Sequence, residues 1–306
     1  MNSNETIYIL GAGAIGFPLA AYLAHAGRNV VAVRTSANDV PKSTINVTVQ
    51  NDTAPIQASV QTISLSNLNQ LDGTIVVATK SYANSMIAQA LKEKGATGAL
   101  VIMQNGVGVE TPFLDAGFPV IYRCVLYATS QPTSPYDFTF RPVSASPIGA
   151  ITENEGNLDA CVKHLTTDSF PFREEANIQR EIWKKAIINV VFNSVCPLLD
   201  VDNGIFVRDQ AAVDLATELV RECVTLTDKL SIGLSEQEVL QQLLVISKRS
   251  DGQYISTLQD IRNGRPTEIA SLNLEIARVA AALEPSLYLP KIEFLGKMIV
   301  AKSSQQ

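Results

Sequence analysis

The stretch Ile7-Tyr-Ile-Leu-Gly-Ala-Gly-Ala-Ile-Gly16 decides how the first half of the chain folds. Its four leading residues are apolar and predict a short strand, followed by a turn and by a helix over Gly16–Ala26. The same theme of short β-branched runs and helical patterns recurs up to about residue 150, which is typical of a parallel sheet with crossover helices. The predicted strands are Ile7–Leu10, Val30–Val33, Thr74–Ala78, Leu100–Met103 and Val120–Val125, with extra strands at Thr44–Val49 and Ile56–Ile63.

The glycines of this stretch have the spacing GxGxxG between a strand and a helix. In that context Gly11 allows a tight turn, Gly13 lets the backbone approach a pyrophosphate, and Gly16 permits close packing of helix on sheet. The phosphates would lie at the helix N-terminus, beside Ala14 and Ile15. The loop therefore predicts a dinucleotide site, and a glycine turn without a ligand is the structural alternative.

From about Glu174 the pattern changes to long helical periods, beginning with Gln179–Leu199. We therefore predict an α/β fold with an N-terminal Rossmann-type doubly wound parallel sheet, residues 1–173. An all-helical C-terminal domain, residues 174–306, would follow it. The last six residues, Ala301–Gln306, are expected to form a frayed tail.

Composition narrows the function classes. Apolar residues make up 46% of the 306-residue chain and charged residues 18%, which is typical of a globular protein with two domains. A net charge of -6 without a basic run argues against a nucleic-acid partner. Four widely spaced cysteines predict buried, reduced thiols, and two isolated histidines argue against a metal site.

Targeting signals are not evident in the sequence. The N-terminus is polar and lacks the cationic start of a secretory signal. Asn189 and Asn193 interrupt the best apolar stretch, which falls short of the roughly 20 residues that span a bilayer. We therefore expect a cytoplasmic protein that does not interact with a membrane.

The end of the second predicted strand bears on the choice of cofactor. An NAD enzyme of this architecture usually has Asp or Glu there, to bind the ribose hydroxyls, whereas this chain has Arg34-Thr-Ser36. A planar guanidinium with adjacent hydroxyls suits a 2′-phosphate. The sequence therefore predicts NADPH over NADH, and the alternative is that Arg34 merely solvates a strand end.

Two later strands also end in polar residues. Lys80 follows the strand that ends at Ala78, and Asn105 lies in the run Gln104-Asn-Gly106 after the next strand. Ligands bind at the carboxyl ends of the strands in an open α/β sheet, so Lys80 and Asn105 are expected to face a nicotinamide ribose or a substrate carboxylate. A solvated lysine and an ordinary Asn-Gly turn are the alternatives.

A polar stripe runs along the first long helix of the second half. Lys185, Asn189 and Asn193 are spaced i, i+4, i+8 and share one face, while most other positions are apolar. Burying an unpaired amide costs about 1–3 kcal/mol, so the stripe needs partners. A ligand with several oxygens would supply them. Alternatively, Lys185 reaches solvent and the asparagines bond to neighbouring backbone.

A second polar cluster occurs late in the chain. Ser256 and Asp260 are spaced i, i+4 on a predicted helix, which Asn263-Gly-Arg-Pro266 ends. Glu268 is expected to open the next helix, with its carboxylate near the positive end of the helix dipole. By itself Glu268 would be an ordinary first-turn acid.

Taken together, these motifs resemble the ketopantoate reductase family over nearly the whole chain. The matching features are the GxGxxG loop with Arg34, Lys80, Gln104-Asn105-Gly106, the stripe Lys185/Asn189/Asn193, and Ser256 followed by Arg265-Pro-Thr-Glu268. The resemblance implies an N-terminal half that carries NADPH, a helical half like the C-terminal domain of 6-phosphogluconate dehydrogenase, and a substrate cleft between the two. It also implies reduction of 2-dehydropantoate (ketopantoate) to pantoate, a step of pantothenate and coenzyme A biosynthesis.

The resemblance also implies roles for individual residues. Lys185 would be the general acid that protonates the carbonyl oxygen as hydride reaches the carbon, with Glu268 near it in the site and near the cofactor. Asn189, Asn193 and Ser256 would hold the hydroxyl and carboxylate of the substrate.

The resemblance also bears on four other residues. Lys80 and Asn105 match positions next to the nicotinamide, and Asn105 would also contact the substrate. Asp260 and Asn273 are expected to support the site more than to take part in the chemistry.

Three segments depart from the usual family pattern, and they bear on the substrate: Tyr127–Pro135, Asn273-Leu274 and Ala282–Pro290. One alternative is therefore a dehydrogenase of the same fold that acts on another 2-oxo or 2-hydroxy acid, for example with an aryl or branched side chain. A more remote alternative is a non-catalytic NADP(H)-binding sensor. The expected partner is a small-molecule 2-oxo acid, and a homodimer is left open.

Overall fold

The computed structural model describes residues 5–35, 41–51, 54–154 and 156–305. Two of the predictions above concern residues outside the described ones: Ser36, in the run predicted to suit a 2′-phosphate, and residues 1–4, in the polar N-terminus. The chain forms two compact units. The first comprises Met1–Gln104 and Val109–Ile178, and the second comprises Asn105–Gly108 and Gln179–Gln306.

The first unit is built on one sheet of eleven strands within the described residues. In chain order the strands are β1 (Thr6–Leu10), β2 (Val30–Arg34), β3 (Ser43–Gln50), β4 (Ile56–Ser64), β5 (Gly73–Val77), β6 (Leu100–Ile102), β7 (Ile121–Cys124), β8 (Ala128–Pro132), β9 (Asp137–Pro142), β10 (Ser146–Ala150) and β11 (Phe172–Glu174). Their order across the sheet is β11-β10-β7-β6-β5-β1-β2-β4-β3-β9-β8.

Six neighbouring strands, β7-β6-β5-β1-β2-β4, pair in parallel and form the doubly wound core. The strand order reverses its direction of growth between β1 and β5, which is the place where ligands bind in such sheets. The helices of this unit are α1 (Gly16–His25), α2 (Asn84–Glu93), α3 (Thr111–Asp115) and α4 (Leu158–Leu165).

The strands of the core are apolar on both faces. Ile7 and Ile9 of β1 belong to one buried cluster, with residues of α1 and α4. Leu10, from the same strand, belongs to a second cluster, with Ile87 of α2 and Phe113 of α3. Successive side chains of a strand point to opposite faces, so continuous apolar runs are needed where both faces are covered by helices.

The predicted fold class is confirmed, but the sheet is mixed and not wholly parallel. Three pairings are antiparallel: β3 with β4, β7 with β10, and β8 with β9. The connections 51–55, between β3 and β4, and 133–136, between β8 and β9, are too short for the crossover that a parallel pair needs, so these two pairs are hairpins.

The second unit is helical. Its helices are α5 (Ile178–Leu199), α6 (Ile205–Arg208), α7 (Gln210–Lys229), α8 (Glu236–Arg249), α9 (Ser256–Arg262), α10 (Asn273–Ala281) and α11 (Pro290–Ser303), with a 3₁₀ turn at Ile269–Ser271. By length and composition α5 could cross a membrane, but 72% of its most apolar window is buried inside the protein. This degree of burial is typical of a core helix.

Two boundaries differ from the sequence-based expectations. The two units divide between Ile178 and Gln179, a few residues after the predicted boundary, and β11 keeps the chain in the sheet until Glu174. The expected frayed tail is wrong, because α11 continues to Ser303. Nζ of Lys302 donates a hydrogen bond of 2.7 Å to the carbonyl of Pro197 near the end of α5, which holds this last turn in place.

All four cysteines are buried free thiols, as predicted. Burial raises the pKa of Cys161 and of Cys196 to about 12. Both therefore stay protonated at neutral pH and behave as small apolar side chains. Among the described residues no group of three or more His, Cys, Asp or Glu side chains could hold a metal ion.

Candidate active site

The glycine loop after β1 is held against the end of β5. Gly11 has a φ of +105°, and a Cβ there would lie 2.7 Å from backbone atoms of Ala78 and Thr79. A Cβ on Gly16 would lie 1.9 Å from the carbonyl oxygen of Gly11, so only glycine fits at either position. At Gly13 nothing lies within 4 Å of the Cβ position. The loop is thus packed on the protein at its two ends and open at its middle glycine.

Arg34 is the last residue of β2 and is half-buried. Its Nη2 donates a hydrogen bond of 3.2 Å to the hydroxyl of Tyr136. Its Nε is buried and has no hydrogen-bond partner among the described residues. Because this Nε donor has no partner among the described residues, the guanidinium can bind an anion at the carboxyl end of β2.

Buried amides join the ends of β5 and β6. Gln104 and Asn84 exchange two hydrogen bonds of 2.7 Å, and Nε2 of Gln104 also donates to the carbonyl and hydroxyl of Thr79. Asn84 begins α2 and donates to the carbonyl of Val109. Buried amides that satisfy each other in this way fix the backbone around them.

A buried ion pair lies beside this amide pair. Arg123 of β7 pairs with Glu110, and its Nη2 donates a hydrogen bond of 3.2 Å to the carbonyl of Gln104. The next residue, Asn105, is exposed and groups with the second unit. Lys80, after Thr79, is exposed as well. The network therefore fixes the backbone from which both predicted ligand-facing residues extend.

In the second unit, the structure brings Asn193 together with Ser256. Asn193 is 3% exposed, and its Oδ1 accepts a hydrogen bond of 2.7 Å from the hydroxyl of Thr257. The Ser256 hydroxyl and the Thr257 backbone N–H each approach the same oxygen to 3.4 Å. Nδ2 of Asn193 donates 2.9 Å to the carbonyl of Asn189. The Asn193 amide thus joins α5 to the start of α9, and direct contact with a substrate stays a prediction.

Lys185 and Asn189 lie on the same stripe of α5 as Asn193, and both are half-buried. The neighbouring Lys184 is held by two carboxylates: its Nζ contacts Glu181 at 2.7 Å and Glu238 at 3.5 Å. Lys184 is one residue away from Lys185 on the same helix, which makes it a natural reference for Lys185.

The expectation that Glu268 opens a helix is wrong. Glu268 precedes the 3₁₀ turn Ile269–Ser271, and its carbonyl accepts hydrogen bonds of 3.0 Å from the N–H and hydroxyl of Ser271. Leu272, with φ -110° and ψ -98°, is not helical and separates the 3₁₀ turn from α10. A three-residue turn has little dipole, so the half-buried Glu268 owes its position to this turn and not to a helix terminus.

The segment that leads to Glu268 is fixed to α9. Nε of Arg265 lies 2.9 Å from Oδ1 of Asp260, and the Arg265 N–H donates to the Asp260 carbonyl. Asn273 is fully buried at the start of α10 and donates a hydrogen bond of 3.5 Å to the carbonyl of Ile292. Asp260 and Asn273 therefore both make contacts that hold elements of this unit together.

Some supporting residues were not predicted from the sequence. Thr257 was overlooked beside Ser256, although a hydroxyl in the first turn of a helix is a common hydrogen-bond donor. Asn84 was overlooked because its buried partner, Gln104, is distant in sequence. Tyr136 was overlooked for the same reason, since nothing in sequence links it to Arg34.

The doubly wound sheet and the glycine loop after β1 are typical of a dinucleotide-binding protein. Two sequence profiles match the chain: Ketopantoate reductase PanE/ApbA over residues 7–151, and Ketopantoate reductase PanE/ApbA C terminal over residues 177–303. The chain belongs to the ketopantoate reductase family, as its motifs predicted.

Relatives of known name agree with this assignment. The 2-dehydropantoate 2-reductases of Pyrococcus abyssi and Pyrococcus horikoshii are each 26% identical to this chain. The alignments cover 90% of this chain and 91% of the first relative, and 97% of both this chain and the second relative.

Solved structures share the fold at lower identity. D-mandelate dehydrogenase in complex with NADH and anilino(oxo)acetate superposes with a TM-score of 0.84 at 22% identity. A PanE/ApbA family ketopantoate reductase from Ralstonia eutropha superposes with 0.81 at 20% identity. A dimeric ketopantoate reductase from Staphylococcus aureus gives 0.79 at 18% identity. Each alignment covers 98% of this chain and 99% of the other.

Proposed function

We propose that this protein reduces ketopantoate to pantoate with NADPH. The observation that carries the proposal is the match of both units to the ketopantoate reductase family, together with relatives of that activity aligned over nine-tenths or more of the chain. Pantoate formation would place the reaction in pantothenate and coenzyme A biosynthesis.

The residues of the first unit fit a dinucleotide. Gly13 leaves room for a pyrophosphate, and Gly16 begins α1, whose first N–H groups can bind it. Among the described residues, the Nε of Arg34 has no hydrogen-bond partner and could donate to a 2′-phosphate, which supports NADPH over NADH. When bound, the nicotinamide supplies a hydride to the carbonyl carbon of the substrate.

Residues of the second unit supply the polar chemistry. Lys185 would donate a proton to the carbonyl oxygen, where negative charge develops during reduction. Asn189 and Ser256 offer an amide and a hydroxyl for the substrate's own hydroxyl and carboxylate. Asn193 would hold Ser256 in place by the contact described above.

A second candidate is a dehydrogenase of the same fold for an aryl 2-oxo acid. The observation in its favour is the TM-score of 0.84 with D-mandelate dehydrogenase, a structure that contains NADH and anilino(oxo)acetate. At 22% identity this likeness concerns the fold alone. The sequence departures at Tyr127–Pro135 and Ala282–Pro290 are where a different substrate would be accommodated.

The decisive experiment follows cofactor oxidation at 340 nm with purified protein. NADPH and NADH are each combined with ketopantoate and with phenylglyoxylate, the 2-oxo acid that corresponds to mandelate. Fastest turnover with NADPH and ketopantoate is expected. Turnover of phenylglyoxylate ten times above that of ketopantoate would replace the first candidate by the second.

Two further properties are part of the proposal. A cytoplasmic location is supported by the four buried free thiols, which suit a reducing compartment. A homodimer is supported by the dimeric relative of like fold. Light scattering of the purified protein tests the homodimer, with a mass twice the 33.0 kDa of the single chain expected.

A further inference from the structure

The turn between β8 and β9 contacts the end of β2 through Tyr136. The hydroxyl of Tyr136 accepts the hydrogen bond from Arg34, at 3.2 Å. Its ring packs edge-on against Phe17 of α1, with ring centres 5.9 Å apart. Tyr136 is 37% exposed, so the phenol is held by Phe17 and Arg34 while part of it still faces solvent.

The backbone of this turn is fixed independently of Arg34. The carbonyl of Tyr136 accepts a hydrogen bond of 2.9 Å from the N–H of Thr48 in β3. The N–H of Thr133 donates 2.8 Å to the carbonyl of Asp137, and the Ser134 hydroxyl donates 2.5 Å to its carboxylate. The hydrogen bonds from Ser134 and Thr48 hold the pKa of Asp137 below its usual value. The turn therefore presents Tyr136 from a defined position.

The same hairpin contacts the glycine loop. The hydroxyl of Ser130, in β8, donates a short hydrogen bond to the carbonyl of Ala14. Through Ser130 and Tyr136 the hairpin thus contacts both parts of the proposed cofactor site in this unit, the phosphate loop and the end of β2.

Within the described residues, one hydrogen bond engages the donors of Arg34, and it goes to Tyr136. A guanidinium has five N–H groups, and Tyr136 accepts only one of them. Within the described part of the chain, no carboxylate pairs with Arg34, and its buried Nε has no hydrogen-bond partner. A phenol orients the guanidinium without neutralising it, whereas a carboxylate in the same place would compete with a phosphate.

We propose that Tyr136 is a positioning residue that fixes Arg34 for the 2′-phosphate of NADPH, and that it thereby sets the preference for NADPH over NADH. The inference rests on the proposed use of NADPH. An arginine that is ordered before the cofactor arrives loses less side-chain entropy on binding, so the 2′-phosphate is bound more tightly.

The test uses the full-length protein and two fragments, 2′,5′-ADP and ADP, which differ in the 2′-phosphate. Calorimetry gives the Kd of each fragment for the wild type, Tyr136→Phe, Arg34→Ala, the double variant and Tyr288→Phe. Tyr136→Phe keeps the ring against Phe17 and removes only the acceptor. Tyr288→Phe is the matched control, because it removes a tyrosine hydroxyl at a residue of the second unit that is 72% exposed.

Tyr136→Phe is expected to weaken 2′,5′-ADP about fivefold, as for loss of one hydrogen bond, and to leave ADP unchanged. KM for NADPH should rise by a similar factor, with kcat and KM for NADH unaltered. In the Arg34→Ala background the same substitution should have no further effect, because Tyr136 would then have no arginine to position.

Two results would overturn the proposal: unchanged 2′,5′-ADP binding in Tyr136→Phe, or an equal loss for both fragments. An additional loss in the double variant would also overturn it, since the ring would then act by itself. If Arg34→Ala shows no selective loss of 2′,5′-ADP, the 2′-phosphate site itself is wrong. The failure of the Tyr136 inference and that of the cofactor assignment are thereby separated.

Discussion

Asn193 on α5 accepts a hydrogen bond of 2.7 Å from the hydroxyl of Thr257, which lies 64 residues further along the chain on α9. Both side chains are buried, at 3% and 2% exposure. The pair therefore connects the helix with the polar stripe to the helix that begins with Ser256. Because a buried amide requires partners, this contact stabilises the second unit and also sets where Ser256 lies.

Breaking this contact from either side should destabilise the protein. Thr257→Val removes the shortest hydrogen bond to the buried Oδ1 of Asn193, and Asn193→Ala leaves the buried Thr257 hydroxyl without this acceptor. A loss of about 1–3 kcal/mol in the free energy of unfolding is therefore expected for each variant. The double variant should lose less than the sum, because the two substitutions remove the same bond. Urea unfolding measures all three variants, with Thr225→Val on the exposed face of α7 as reference. Strictly additive losses would contradict the coupling.

Lys185 should matter for turnover and little for cofactor binding. Because Lys185 is the proposed proton donor, the substitution Lys185→Ala is expected to lower kcat by about 10²-fold or more. Lys184→Ala is the matched control, because Lys184 pairs with Glu181 and Glu238 and should affect stability alone. Turnover is measured by NADPH oxidation and binding by fluorescence titration. An unaltered kcat in Lys185→Ala would remove Lys185 from the reaction.

Two glycines of the same loop should respond differently to alanine. Gly16→Ala places a methyl group 1.9 Å from the Gly11 carbonyl oxygen, so the loop must move and the melting temperature should fall. Gly13→Ala meets no protein atom within 4 Å, so stability should be retained while NADPH binding weakens. Thermal melts and NADPH titrations of both variants distinguish the two effects. Tight NADPH binding by Gly13→Ala would show that this face of the loop is not the phosphate site.

Asp202 should stabilise the second unit in a pH-dependent way. Its hydrogen bond with Arg208, reinforced by the N–H groups of Gly204 and Gly252, lowers its pKa to about 2. Since the pKa is lower in the folded state, the stabilisation is present above the unfolded value of 3.8 and is lost as the pH falls through about 2.

Asp202→Ala should therefore melt below the wild type at pH 7, and the difference should shrink between pH 4 and pH 2. Calorimetric melts across this range give the comparison, with Asp228→Ala as a matched loss of an exposed carboxylate. A difference that stays constant down to pH 2 would rule out this ion pair as the cause.

Most of the fold could be predicted from local sequence patterns. The parallel core could be predicted because strands covered on both faces must be apolar throughout, as Ile7 to Leu10 are. The helices could be predicted from their period, and α5 was placed within one residue at its start. The antiparallel strands at the edge of the sheet were harder, because β-branched runs do not specify the direction in which strands pair.

The candidate site was predicted in part. The glycine loop, Arg34 and the stripe on α5 could be proposed from the sequence because each is a short motif with a recognisable chemical role. Their partners could not be found in this way: Tyr136 contacts Arg34 across 102 residues, and Thr257 contacts Asn193 across 64. Glu268 was misplaced because Leu272 interrupts the helix that was expected to start there.

The sequence by itself determined the fold class, the family and the place of the glycine loop, since these depend on periodicity and on glycines at fixed spacing. Only the tertiary structure decided which polar groups satisfy one another, as Asn193 does with Thr257 and Gln104 with Asn84. The physical reason is that backbone preferences act between near neighbours in the chain. Hydrogen bonds between buried side chains depend instead on the packing of elements that are far apart in sequence.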